Sequence, residues 1–205
     1  MDITFYYAPM SSAEPVARAL TELQVPHKLV TFALPEGKQR EPEYLRLNPN
    51  GKVPTLVVDG TPMFEALAII QWLGERFGVE RGLWPAADAP ARLQAAAWST
   101  WAYTECAPLV IRYFFATSPG APAELHSAAW AEHSRSELAV RWQILDAKLA
   151  DHPYLLGEQY TLVDVVCASV VQWAGMCGLS SGDYKHVQRW LAACTARPAF
   201  RPMAA

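Results

Sequence analysis

The spacing of hydrophobic and polar positions changes along this chain, and each change predicts an element. Ile3–Tyr7 is a short β-branched and aromatic run, which predicts a strand. Ala8-Pro9-Met10-Ser11-Ser12 breaks the run, after which Val16, Ala19, Leu20 and Leu23 share one helical face. Pro26 stops that helix, and His27–Phe32 predicts a second strand, parallel to the first if the intervening helix is a crossover. Residues 35–49 are polar and punctuated by Gly and Pro, with room for one short helix over Pro42–Leu47. Val53–Val58 and Thr61–Phe64 predict an antiparallel pair joined by the tight-turn dipeptide Asp59-Gly60. Glu65 then opens a helix running to about Phe77, with Ile69, Leu73 and Phe77 among its buried positions.

That order, β-α-β, loop, β-β-α, is the thioredoxin-like arrangement, and it fills residues 1–77. Residues 78–90 are rich in Gly, Pro and Ala and read as a linker. Residues 91–205 show only helical periodicity, with helices over 91–118, 123–150, 161–177 and 185–197. The 161–177 segment is apolar nearly all round, which places it at the centre of its domain. Thr161-x-x-Asp164 at its start is a capping box with Asp in place of Glu, a structural device. The fold class expected is therefore an α/β thioredoxin-like N-terminal domain followed by an all-α C-terminal domain.

Composition narrows the function classes. With 18% charged and 52% hydrophobic residues the chain is globular, and a net charge of −3 without a basic stripe argues against nucleic acid and anionic membrane as partners. The start lacks a basic region followed by an apolar stretch, so no secretory signal is expected. The apolar stretch near Val163–Ala168, interrupted by Asp164, is far too short to span a bilayer. A cytoplasmic location follows as the expectation. Cys106, Cys167, Cys177 and Cys194 form no C-x-x-C pair, and no His cluster has zinc spacing. Reduced, mostly buried thiols and no metal are expected.

Three segments carry a resemblance. Asn48-Pro49-Asn50-Gly51-Lys52-Val53-Pro54-Thr55-Leu56 and Phe64-Glu65-Ala66-Leu67-Ala68-Ile69 resemble the glutathione-binding half of the cytosolic glutathione transferases, and Gly157–Asp164 resembles the same family's C-terminal signature. The likeness spans essentially the whole chain, in order and at suitable separations. It implies glutathione as co-substrate, a small hydrophobic electrophile as second substrate, and a homodimer.

The resemblance also implies a site. A cis proline at Pro54 would turn the Val53 N–H and C=O toward the ligand, so that a tripeptide pairs there as an added strand edge would. Glu65 and Ala66 stand at a helix start, where unpaired amides and the positive dipole end favour a carboxylate. The family usually has Glu-Ser there, the serine holding the γ-glutamyl carboxylate. Ala66 keeps the N–H and lacks the hydroxyl, while Glu65 is placed to meet the ligand's ammonium. Lys38, Gln39 and Lys52 are the candidates for the glycine carboxylate. Met10, the Leu34 loop and the 91–118 helix, with Tyr103, Cys106 and Arg112, are expected around the electrophile. Arg18 is a candidate brace for the active-site segment.

The group that activates the thiol must be sought in residues 6–15. An unperturbed thiol has a pKa of about 8.5, and lowering it by about two units takes ~2.7 kcal/mol of preferential thiolate stabilisation. A hydroxyl donor at a helix N-terminus supplies most of that. Serine-type relatives of the phi and delta kind match Ser11, the cysteine of beta-type relatives falls on Ser12, and the tyrosine type falls on Tyr6. Pro15 lacks an N–H and belongs within the first three helical positions, so Ser12 is the better N-cap and Ser11 is left free at the mouth of the site. Ser11 is thus the expected catalytic residue, with Ser12 and then Tyr6 behind it. The beta-type histidine falls on Ala107, which removes a Cys/His mechanism. A glutaredoxin-type reductase would need a cysteine where Met10-Ser11-Ser12 stand. A non-catalytic ligand-binding protein on the same scaffold stays open, as do peroxide reduction and haloalkane or ether cleavage, which use the same thiolate.

Overall fold

Along β1 (Ile3–Tyr7), Ile3, Phe5 and Tyr7 are buried while Thr4 and Tyr6 are half-buried, the two-residue period of a strand with one dry face. α1 (Glu14–Glu22) follows, burying Val16, Ala17, Ala19 and Leu20. β2 (Lys28–Thr31) pairs in parallel with β1. Two 3-10 turns, Leu34–Glu36 and Lys38–Arg40, lead to the one-turn α2 (Pro42–Leu45). β3 (Thr55–Val58) runs antiparallel to β1, and β4 (Thr61–Phe64) antiparallel to β3, giving the mixed sheet order β2-β1-β3-β4. Asp59 and Gly60 both have positive φ, as a two-residue hairpin turn that matches strand twist requires. α3 (Ala66–Leu73) closes the set, and Gly74–Gly78 continues it as one π-helical turn.

The remaining helices are α4 (Ala91–Trp101), α5 (Ala107–Thr117), α6 (Ala128–Lys148), α7 (Leu162–Met176) and α8 (Lys185–Thr195). The periodicity over 91–118 predicts one helix; the structure interrupts it with a π-helical turn at Ala102–Cys106. Pro108 is the cause in the sequence: it has no N–H and its ring crowds the carbonyl four residues back, which a wider turn relieves. α6 begins at Ala128 and not at Ala123, because Ser127 takes the N-cap, its Oγ accepting the Trp130 N–H at 3.2 Å. α7 starts on the expected capping box. Asp164 accepts from the Thr161 N–H (2.9 Å), the Leu155 N–H (3.0 Å) and Trp190 Nε1 (2.8 Å), which fastens α8 and the preceding loop to the head of α7. Burial pushes the Asp164 carboxyl pKa up, against the pull of those donors.

The structure, a computed structural model, describes residues 1–201; the last four residues of the expected 91–205 domain lie outside them. Its contacts define two units. One is Met1–Ala87 together with the chain from Pro198, and the other is Asp88–Arg197. Residues 78–87, read from composition as linker, thus fall with the first unit. Trp84 is buried there against Gly74 and Gly78. The 3-10 turn Pro198–Phe200 returns to α1, where the Arg18 guanidinium lies 4.3 Å from the centre of the Phe200 ring. No helix among the described residues is long and apolar enough to cross a membrane.

A Cβ on Gly74 would stand 2.6 Å from Trp84 Cδ2. Gly74→Ala is therefore expected to destabilise the protein by about 1–3 kcal/mol through overpacking, read as a lower urea midpoint at unchanged slope.

Candidate functional site

The register of the sheet assembles the site. Tyr6 pairs with Thr55, and Thr55 with Phe64. The exit of β1, the entry to β3 and the exit of β4 therefore meet at one end of the sheet, bringing Ser11–Ser12, Val53–Pro54 and Glu65–Ala66 to the same edge.

The β1–α1 junction differs from the sequence expectation. The N-cap of α1 is Ala13, and Pro15 is the second helical residue, where its missing N–H costs nothing. Ser11 does the local capping. Its Oγ accepts the Ala13 N–H at 3.1 Å and donates to the Ala8 carbonyl at 2.6 Å, while its own carbonyl accepts the Glu14 N–H at 3.2 Å. Ser12 stays exposed and turns away from the helix, its hydroxyl donating to the Val53 carbonyl at 2.9 Å. Ser12 therefore does not take the N-cap position expected of it: Ser11 is tied into the turn, and Ser12 faces the Val53 backbone. The helix starts one residue later than a Ser12 N-cap would have it, and a start at Glu14 still places Pro15 in its first turn.

Val53-Pro54 is a cis bond, with both residues buried. A buried polar clamp holds the segment. The Lys52 carbonyl accepts from Tyr44 Oη and from Asn48 Nδ2, each at 2.7 Å, and the Thr55 hydroxyl lies 2.7 Å from Tyr44 Oη. Asn48 Oδ1 accepts the Asn50 N–H at 3.1 Å. Burial pushes the Tyr44 phenol pKa up, with the Thr55 and Asn48 hydrogen bonds opposing. Sequence reasoning missed the clamp as a functional element, although Asn48 sits in the motif segment and signals it.

The binding candidates fare differently from one another. Glu65 is exposed, with φ +71°, a left-handed backbone that residues with side chains seldom adopt. Ala66 is buried as the first residue of α3, so its amide belongs to the helix start. Lys52 is exposed. Lys38 pairs with Glu36 at 3.1 Å. Gln39 is buried, and its Nε2 donates to the Leu34 carbonyl at 3.1 Å, so it closes its own loop and does not face outward.

Tyr6 packs its ring against Phe32 and Tyr44, at centroid distances of 5.7 and 5.3 Å, on the face opposite Tyr7. It is Tyr7 that reaches the start of α1, its hydroxyl donating to Glu14 Oε1 at 2.6 Å. Burial, then the Glu14 bond and charge, push the Tyr7 phenol pKa well up; the Arg18 charge opposes.

In the second unit Tyr103 is half-buried on the π-turn. Arg112 lies over the Trp130 ring, 4.6 Å from its centre, and so turns toward α6. Cys106 is buried, which pushes its thiol pKa up to about 12. An open hollow lined by Ala116, Thr117, His126 and Ser127 contains none of the residues expected to bind.

Comparisons with known proteins agree with this fold. The family model described as "Glutathione S-transferase, N-terminal domain" matches residues 10–76, and "Glutathione S-transferase, C-terminal domain" matches residues 109–198. The chain is 26% identical over 207 residues to "Disulfide-bond oxidoreductase YfcG" of Escherichia coli K12, covering 96% of this chain and 92% of that protein. It is 29% identical over 212 residues to "Glutathione S-transferase 3" of Zea mays, covering 97% and 91%. A solved glutathione transferase from Burkholderia graminis, with two glutathione molecules bound per subunit, is 28% identical, with a TM-score of 0.84 over 97% of this chain and 85% of that one.

Two outcomes follow from the titratable groups. Cys106, Cys167 and Cys194 are buried and Cys177 half-buried, so native protein at pH 8 should react at Cys177 alone with a disulfide reagent, and at all four cysteines in urea. The folded chain holds the Tyr7 proton more tightly than the ordinary phenol value of about 10 allows. That contribution is fully present below about pH 10 and is lost as pH rises through the folded value. Tyr7→Phe should therefore leave the stability profile below about pH 10 with the same slope and flatten part of the fall above it, measured by urea unfolding at each pH.

Proposed function

Because this chain belongs to the glutathione S-transferase family, we propose that it binds glutathione along Val53–Pro54 and delivers the thiolate to a hydrophobic electrophile. The observation that carries this reading is the Ser12 hydroxyl, 2.9 Å from the Val53 carbonyl. A tripeptide that pairs with the Val53 backbone brings its cysteine to that hydroxyl. Its amide N–H takes the Val53 carbonyl, and the Ser12 O–H turns to the sulfur. The geometry therefore favours Ser12 as the thiolate donor over Ser11, whose hydroxyl is committed to Ala8 and Ala13.

The flanking residues take the parts that the resemblance assigns. Glu65 meets the ligand's ammonium, and the Ala66 N–H its γ-glutamyl carboxylate at the helix start. Lys52 meets the glycine carboxylate, joined by Lys38 once it leaves Glu36. Met10, 76% exposed, offers an apolar surface to the electrophile. In the reaction the sulfur lone pair forms a bond to the electrophilic carbon, and the leaving group departs with its electron pair. Peroxide reduction would draw on the same thiolate. The protein is read as a cytoplasmic homodimer.

One observation favours a second reading. The relative named a disulfide-bond oxidoreductase is aligned over 96% of this chain. Without a cysteine at Met10-Ser11-Ser12 the protein cannot supply an attacking thiol there, but bound glutathione can. Its thiolate would attack a disulfide, forming a mixed disulfide and releasing the other sulfur as thiolate.

Isothermal titration with glutathione, followed by assays with an aryl halide and with a small disulfide, separates these readings. A hydrogen bond to a charged group contributes about 1.5–3 kcal/mol, so Ser12→Ala should raise the bound thiol's pKa by roughly one to two units. Ser11→Ala should cost about 0.5–2 kcal/mol of stability and shift that pKa less. A larger shift in Ser11→Ala would return the donor role to Ser11. Failure of wild type to bind glutathione would reject the reading.

A further inference from the structure

We infer that Glu14 is a positioning residue, whose carboxylate holds the Ala8–Ala13 turn in the shape that presents Ser12 to the Val53 carbonyl. The inference rests on the reading that Ser12 meets the thiolate.

One oxygen of Glu14 bridges the turn. Oε1 accepts the Tyr7 hydroxyl at 2.6 Å and the Met10 N–H at 3.2 Å. Tyr7 is the last residue of β1 and Glu14 the first of α1, so this atom ties both ends of the junction to its middle. Met10 needs such a tie. Its φ of +56° is a left-handed backbone that a side chain disfavours, and its side chain is too exposed for packing to hold it. Ser11 and Ser12 follow directly, so the direction of the Ser12 hydroxyl depends on the backbone that Met10 sets. A carboxylate at the first helical position also suits the helix dipole.

The charge itself works against the proposed chemistry, because a carboxylate near a thiolate disfavours it. The role left to Glu14 is therefore geometric. α3 and the Pro198–Phe200 turn, which pack on α1, carry no ionisable side chain, Tyr6 faces away, and Arg18 acts on Tyr7 from the same helix.

Two substitutions separate shape from charge. Glu14→Gln keeps a carbonyl acceptor for both donors and removes the charge, whereas Glu14→Ala removes both. For glutathione bound to the full-length protein, thiolate absorbance against pH should show Glu14→Ala raising the thiol pKa by about one unit, a roughly tenfold loss of thiolate below that pKa. Glu14→Gln should leave it at or below the wild-type value. Amide hydrogen exchange of residues 8–13, which needs no ligand, should speed up about tenfold or more in Glu14→Ala and stay near wild type in Glu14→Gln. Equal thiol pKa shifts in the two variants, or unchanged exchange in Glu14→Ala, would overturn the inference. If wild type binds no glutathione, the proposed function fails, and the exchange comparison alone decides the part Glu14 plays in the turn.

Discussion

The site depends first on the Lys52 carbonyl and on what holds it. Tyr44 and Asn48 each donate to that oxygen, and both reach the buried Thr55 hydroxyl beside it. Tyr44, Asn48 and Thr55 are buried, and a buried polar group left without a partner is costly, so the clamp fixes the backbone on either side of that carbonyl. On one side lies the 42–51 loop, and on the other Val53, Pro54 and the start of β3. Because β3 is paired to both β1 and β4, a segment held at Lys52–Thr55 fixes the edge that the two other elements of the site share. The arrangement is polar and local. Each member is satisfied by a neighbour within a dozen residues, and only the sheet extends its influence further.

Much of this was legible in the sequence, for identifiable reasons. The alternation of Ile3, Phe5 and Tyr7 gave β1 its inner face, and Asp59-Gly60 fixed the β3–β4 register. The Thr161–Asp164 spacing located the start of α7. What escaped depended on details that periodicity does not carry. The apolar rhythm continues straight through Pro108, so the π-turn before it was hidden. Pro15 correctly marked the first turn of α1, but two adjacent serines can each serve a helix start, and only the turn geometry separates them. Tyr6 and Tyr7 are neighbours of equal chemistry on opposite faces of a strand, and the resemblance pointed to the one that packs against Phe32 and Tyr44. Gln39 and Lys38 were named from their loop, whereas their partners, Leu34 and Glu36, lie within that same loop. Short-range pairing of this kind leaves no mark in hydrophobic patterning.

The chain's own nucleophiles take no part at the junction of β1 and α1. Its cysteines lie elsewhere, and burial raises the thiols of Cys106 and Cys167 away from reactivity. Hydroxyls, backbone amides and one carboxylate are what the sheet edge offers. In the proposed function such groups steer and stabilise a sulfur that arrives with a ligand, and the ligand brings the redox or nucleophilic capacity with it.

The return of Pro198–Phe200 to α1 has a consequence for biosynthesis. The chain leaves the first unit after Ala87 and re-enters it only at Pro198, two residues before Phe200, whose ring lies against Arg18. A ribosome making this protein must therefore complete the whole of the second unit before the first acquires its last packing partner. Until then the nascent first unit carries an uncovered face on α1, the helix whose opening residues shape the site, so maturation of the amino-terminal half waits on the carboxyl-terminal end.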